Sequence, residues 1–216
     1  MKSLLIFPAQ WYPTQPYLST PYLCAYLRDK GWDVAQRDFN IESYDNFLSP
    51  PLLEKAVAKM ESRLAGLKAK KSFSFKEKSL LDVLSTGIRF APTIIAGVDD
   101  AKKVMRTPDR FFDFEAYKQA DMIIKSALKL VSDAYAPSVL TLSTFESGTR
   151  AEESTQRAAE VTRNSDINPF VDLYEDVLLP SEQWDDYGLA GISIVGISQI
   201  LPGLTLARML KEKHPH

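Results

Sequence analysis

The sequence predicts an α/β protein: a Rossmann-like parallel sheet flanked by helices and interrupted by a helical insertion. Three observations support this class. A strand, a helix and a second strand fill residues 3–40, apolar residues recur at helical spacing between about 41 and 136, and an apolar strand at 189–196 precedes a helix at 202–213. Strands that alternate with helices favour a parallel sheet, because parallel strands need a crossover connection.

The first elements each carry a local signal. Residues 3–7 form a continuous apolar run, as expected of a central strand buried on both faces. A helix starts near Ser19 or Thr20, either of which could cap it, with Pro21 in its first turn, and Gly31 ends it. Residues 32–39 then alternate as a second strand, parallel to the first. The predicted apolar face of the helix consists of Tyr22, Leu23, Tyr26 and Leu27.

The middle of the chain predicts an insertion that caps or flanks the sheet. Helical spacing covers 52–69, 78–90 and 115–135, with lysines and glutamates between the apolar positions. A strand candidate at 138–143 fits either a sheet edge or the insertion, and residues 151–163 predict a polar helix.

The end of the chain carries a strand–helix unit. In a parallel sheet such a unit normally leads into another strand, so we expect at least one C-terminal strand to be missing. We therefore interpret residues 1–216 as a single truncated domain with an insertion at about 41–136.

Polar and aromatic side chains follow the predicted strands, where ligands bind in open parallel sheets. We take these as candidate cofactor contacts: Gln10, Trp11, Tyr12, Thr14, Gln15, Asp38, Asn40, Ser193, Ser198 and Gln199. Each also has a structural interpretation. Asp38 and Asn40 could form turns after a strand, Trp11 and Tyr12 could be core or lid residues, and Ser198 could cap the last helix.

Several functional classes are excluded by composition. A net charge of −2 gives no basic surface for nucleic acid, and a single cysteine cannot form a disulfide or an iron–sulfur site within the chain. The apolar N-terminal run is too short for a signal sequence or a membrane span, which predicts a cytoplasmic protein. Glycine-rich nucleotide loops are absent, and both histidines lie within the last three residues, so we assign no catalytic residue and no metal ligand.

Both ends of the chain resemble the N-terminal part of cobalamin-dependent radical S-adenosylmethionine (SAM) proteins, often labelled magnesium-protoporphyrin IX monomethyl ester oxidative cyclases. The resemblance covers 8–23, 25–28 and 31–34, Asp38 to Glu42, Asn168 to Phe170, Gly191 to Ile194 and Gln199 to Ala207. It implies a metal-binding cofactor module for cobalamin that precedes a C-terminal radical SAM barrel, which would carry SAM and a 4Fe-4S cluster. In this resemblance Ser193, Ser198 and Gln199 line the groove for the cofactor tail, and the 10–15 loop, Asp38 and Asn40 lie nearer the corrin.

The chain departs from the family pattern at two motifs. Asn40 stands where the D-x-H-x-x-G motif of many cobalamin proteins has a histidine, so cobalamin would bind without a histidine on cobalt. The C-x-x-x-C-x-x-C cluster motif is absent, so this chain is not catalytic alone. Two alternatives remain open: a cobalamin-free structural or substrate-binding domain of such an enzyme, and a small-molecule enzyme in its own right. Neither nucleic acid nor a membrane is an expected partner.

Overall fold

The computed structural model describes residues 2–151 and 154–214, which divide into two compact units. One unit contains 1–44 and 142–216, and the other is the helical segment Asp45–Thr141. The α/β class is confirmed: a three-stranded parallel sheet is flanked by helices.

The sheet unit is built around β1 (Lys2–Phe7), with β2 (Val34–Asp38) on one side and β5 (Tyr187–Ile192) on the other. Both pairings are parallel, as the sequence predicts for β1 and β2. Leu4 and Ile6 are fully buried, which explains the continuous apolar run of the central strand.

Helix α1 (Ser19–Asp29) connects β1 to β2 and ends as predicted, with Gly31 in the left-handed region at φ +81°. Its predicted apolar face is wrong. Thr20 and Cys24 point into the core, whereas Tyr22 and Tyr26 are 78% and 59% exposed. The sequence pattern failed because α1 buries a narrow stripe of small side chains against the sheet.

The predicted second strand, 32–39, is shortened at both ends. Trp32 is half exposed, and Phe39 already begins α2 (Phe39–Phe47) directly after β2. At the sheet edge, Gly191 of β5 lets β1 approach closely, because a Cβ there would lie 2.8 Å from Cδ2 of Leu5.

The remaining helices of the sheet unit meet at Asn168, which is fully buried. Its side chain caps α8 (Pro169–Leu173) and donates to the Thr205 hydroxyl of α9 (Ile200–Lys213) at 2.9 Å. Its amide also donates to the Val161 carbonyl at the end of α7 (Thr155–Val161). The predicted helix 151–163 is confirmed over α7, and its residues 152–153 lie outside the described residues.

Short elements complete the sheet unit. β4 (Phe145–Glu146) is two residues long, a π-helical turn (Tyr174–Leu178) continues α8, and 3₁₀ turns precede β5 and α9 at Trp184–Asp186 and Ile197–Gln199.

The helical unit contains α3 (Pro50–Lys68), α4 (Phe75–Arg106), α5 (Pro108–Phe111) and α6 (Phe114–Ala134). Helices α3, α4 and α6 pack on one another around a core that includes Leu53, Met60, Leu84, Val98 and Leu128. The three helices predicted here are present.

Two predictions for this segment need correction. Helix α4 runs on past Pro92, where the predicted helix stopped at 90, because packing on both neighbours outweighs one lost donor. The predicted strand 138–143 is reduced to β3 (Val139–Leu140), which the buried Ser132 hydroxyl fixes to α6.

Within the described residues, α4 is the helix long and apolar enough to cross a membrane by length and composition. It carries charged residues at both ends and contributes a buried stripe to the helical unit. Core helices of soluble proteins meet the same two criteria, so the finding is weak evidence for a span.

Candidate functional site

The candidate site lies at the carboxyl edge of the sheet, in the loops that follow β1 and β5. The connection from β1 leads to β2 on one side of the central strand and β5 pairs on the other side, so the strand order reverses between β1 and β5. In open parallel sheets the loops separate at such a point and leave a crevice for ligands. All candidate residues lie in the loops at this edge or in the elements that begin there.

Buried amides hold the loop after β1. The Gln10 side chain is 1% exposed and donates to the Tyr44 hydroxyl at 2.6 Å. The Asn40 side chain, 2% exposed, accepts from the backbone N–H of Trp11 at 2.8 Å. These contacts fix the loop to α2, so Gln10 and Asn40 are part of its frame.

Tyr44 is a residue that the sequence analysis missed. Burial strongly raises the pKa of its phenol, against the opposing effect of the Gln10 hydrogen bond, so the hydroxyl stays protonated. It donates to the Leu142 carbonyl at 2.7 Å. No local sequence pattern shows which tyrosine on a helix will bond to residues that are distant in the sequence.

Gln199 holds the loop after β5 in the same way. It is fully buried, donates to the Pro8 carbonyl at 2.7 Å and accepts from the Val195 N–H at 3.0 Å. One amide thereby satisfies two backbone groups from two loops. Ser198 lies in the 3₁₀ turn before α9, and the interpretation that it caps this helix is wrong, because α9 has no side-chain cap.

Aromatic side chains lie where the loops after β1 and β5 come together. Tyr17 stacks on Phe7 with ring centroids 5.6 Å apart, and the Trp11 ring meets Tyr17 edge-on at 5.6 Å. The Trp11 indole N–H donates to the Gln15 carbonyl at 3.0 Å. On its other side the indole packs on Gly196, where a Cβ would lie 3.1 Å from the ring. The loops after β1 and β5 therefore meet at Trp11.

A second link between the two loops joins hydroxyl groups. The Ser193 and Ser19 oxygens are 2.9 Å apart at the end of β5 and the start of α1. Ser19 and Tyr17 were not among the predicted site residues. Their position at the end of the loop after β1 was the sequence signal that could have identified them.

The accessible part of the site is both polar and apolar. Tyr12, Thr14, Gln15 and Asp38 are exposed, and Trp11, Ser193 and Ser198 are partly exposed. Several apolar side chains of the same loops are also exposed: Tyr17, Leu18, Ile194, Val195 and Ile197. Such a surface suits a ligand with a broad apolar face and a polar rim.

Asp38 provides a carboxylate at the end of β2. Its Oδ1 accepts from the Ile41 N–H at 3.0 Å, in the first turn of α2, so Asp38 bonds locally as predicted but caps this helix instead of forming a separate turn. Partial desolvation raises the pKa of this carboxyl, while the N–H groups of Ile41 and Asn40 act in the opposite direction. Asn40 does not form such a turn, because its side chain bonds to a distant loop.

Among the described residues, no group of three or more histidine, cysteine, aspartate or glutamate side chains is arranged to hold a metal ion. His214 lies at the far end of α9, 3.3 Å from Asp185, away from the carboxyl edge of the sheet. The described residues therefore include no imidazole that could bind a metal at the candidate site.

Comparisons with protein-family models, with curated proteins and with solved structures found no match to this chain. The function of the chain is therefore inferred from the geometry of the site and from the sequence resemblance.

Proposed function

We propose that this chain is a Rossmann-like cobalamin-binding module of a cytoplasmic radical SAM enzyme. The observation that carries the proposal is the pair of loops after β1 and β5, which bring aromatic rings, hydroxyls and amides together at the carboxyl edge of the sheet. Corrin has a broad apolar face and a rim of amides, so this donor set is chemically suited to it. The sequence resemblance supports the same ligand independently of the geometry.

The candidate residues fit cobalamin in part. Trp11 and Tyr12 supply aromatic surface, Thr14 and Gln15 can hydrogen-bond rim amides, and Ser193 and Ser198 border the groove for the tail. Asp38 adds an acceptor at the end of β2. The buried amides of Gln10, Asn40 and Gln199 already have partners within the protein, and we assign them to positioning these loops.

When bound, cobalamin supplies organocobalt chemistry for methyl transfer or related radical reactions. The role of this chain is to bind and orient the cofactor and to exclude water with the rings of Trp11 and Tyr17. Asn40, which stands in place of the family's histidine, would supply no imidazole to bound cobalamin. The proposed partner is a radical SAM barrel, since one cysteine cannot hold an iron–sulfur cluster.

The test is an equilibrium titration of the purified chain with hydroxocobalamin, followed by desalting and a visible spectrum. We expect retention near one equivalent, with a spectrum that lacks histidine coordination. Ser193→Leu should lower the affinity at least tenfold, because its side chain would project into the tail groove. Tyr26→Ala is the control. Tyr26 lies two turns beyond Ser19 on α1, so this variant should bind cobalamin as the wild-type chain does.

Failure of the folded chain to retain hydroxocobalamin would overturn the proposal, and so would equal affinity in the Ser193→Leu variant. A specific observation favours the alternative in that case. The amides of Gln10, Asn40 and Gln199 are all engaged internally, as in a cobalamin-free structural or substrate-binding domain that keeps the fold.

A further inference from the structure

A groove of about 430 Å³ lies between α4 and α6 in the helical unit. Val83 and Phe90 of α4 and Leu130 of α6 provide apolar walls, and Phe90 is half exposed. Gly87, which also lines the groove, lets α4 pack closely on α3. A Cβ at this position would contact the Met60 methyl group and lie 3.5 Å from Oδ2 of Asp133.

The carboxylate of Asp133 lies in this apolar groove, where its charged form is disfavoured. The residue is 8% exposed, and burial raises the pKa of its carboxyl. It also lies in the last turn of α6, at the negative end of the helix dipole, where an anion is disfavoured. Arg63 binds the carbonyls of Ala134 and Ala136 just beyond it, at 2.7 Å each.

The partner of Asp133 is an exposed lysine. Lys129 Nζ lies 2.8 Å from each carboxylate oxygen, yet the lysine side chain is 66% exposed. The ammonium therefore approaches the buried carboxylate from the solvent side, where the ammonium of a ligand can take its place. Asp82 of α4 also lines the groove. Two carboxylates and one ammonium give this groove a net negative charge.

We propose that the groove binds a small amphipathic amine, whose ammonium replaces Lys129 at Asp133 and whose apolar body lies on Phe90, Val83 and Leu130. Charge and shape together select this class. A neutral apolar ligand would leave the carboxylate with its lysine, and an anion would be repelled by Asp82 and Asp133. This site is independent of the proposed cobalamin site, because all of its residues belong to the helical unit.

The test uses two probes that share an apolar body and differ in charge. Calorimetric titration of the full chain with 2-phenylethylammonium should give saturable binding, whereas 3-phenylpropanoate should give none. Asp133→Asn should lower the affinity at least tenfold. The matched control is Asp121→Asn, which breaks a similar pair with Lys125 on the same helix outside the groove and should leave binding unchanged.

A further variant separates ligand binding from a merely structural role of Asp133. Lys129→Met removes the resident cation and should increase the affinity for 2-phenylethylammonium several-fold. A structural ion pair would give no such gain. Weaker or unchanged binding by Lys129→Met, equal binding by Asp133→Asn, or equal binding of the two probes would each overturn the proposal.

Discussion

At the residue scale, the candidate site is organised by amides that act as connectors. Gln10, Asn40 and Gln199 each bond to a group from a distant part of the chain and are almost fully buried. Unsatisfied backbone groups in such places cost about 1–3 kcal/mol each. The stability of the sheet unit and the shape of its ligand edge therefore depend on the same side chains.

Replacing Gln199 should test this dependence. Gln199→Leu leaves the Pro8 carbonyl and the Val195 N–H without their partner, so we expect the free energy of unfolding to fall by about 2–4 kcal/mol. Urea denaturation followed by circular dichroism measures it.

Gln156 supplies the comparison for this experiment. Its exposed amide donates to Glu160 on the same helix, so Gln156→Leu should change the stability by less than about 0.5 kcal/mol. A similarly small effect of Gln199→Leu would show that the two loops do not depend on this amide.

Sequence reasoning located these residues and misjudged what some of them contact. It placed polar side chains at the strand ends, because strand runs and glycine stops are local signals. It could not show that Asn40 bonds to Trp11 or that Gln199 reaches Pro8, since such contacts depend on the tertiary fold. Tyr44 was missed for the same reason.

At the element scale, helix ends were harder to predict than helix positions. Helix α4 begins at a reciprocal capping box, in which the Ser74 hydroxyl accepts from the Glu77 N–H and the Glu77 carboxylate accepts from the Ser74 N–H. Lys70 also pairs with Glu77, and these contacts lower the pKa of its carboxyl to about 2. The sequence interpretation began this helix at 78, one turn late, because it followed apolar spacing and overlooked the cap.

The capping box predicts a measurable effect on the helical unit. Ser74→Ala removes the hydroxyl acceptor, and we expect a loss of about 1 kcal/mol in the free energy of unfolding. Ser74→Asp should retain most of the stability, because a carboxylate at this position can also accept from the Glu77 N–H. Thermal denaturation of the two variants side by side gives the comparison, and equal stability of Ser74→Ala and wild type would contradict the role of the cap.

At the scale of the whole molecule, the sheet unit is formed by two separated stretches of chain. Residues 1–44 and 142–216 build it together, and the Tyr44 hydroxyl donates to the Leu142 carbonyl where the stretches meet. The chain therefore leaves and re-enters this unit at neighbouring points. That arrangement is tolerant of inserted segments, because only a short span has to be closed.

Excision of the helical segment tests this organisation. Replacing Asp45–Thr141 with a Gly-Ser linker of about six residues should leave a sheet unit that unfolds cooperatively, since the linker can span the short gap. Amide NMR dispersion and thermal denaturation report the outcome. The helical segment produced alone provides the companion measurement. An unfolded sheet unit after excision would show that it requires the helical segment to fold.

The edge position of β5 affects how the protein behaves at high concentration. This strand lies at the border of the sheet, and Leu189 is half exposed on it. Outer strands with apolar side chains and few charges are templates for intermolecular pairing. The net charge of −2 provides little colloidal repulsion to oppose such pairing. Self-association should therefore increase as the pH approaches the isoelectric point of about 5.8, and work at higher pH should keep the chain monodisperse.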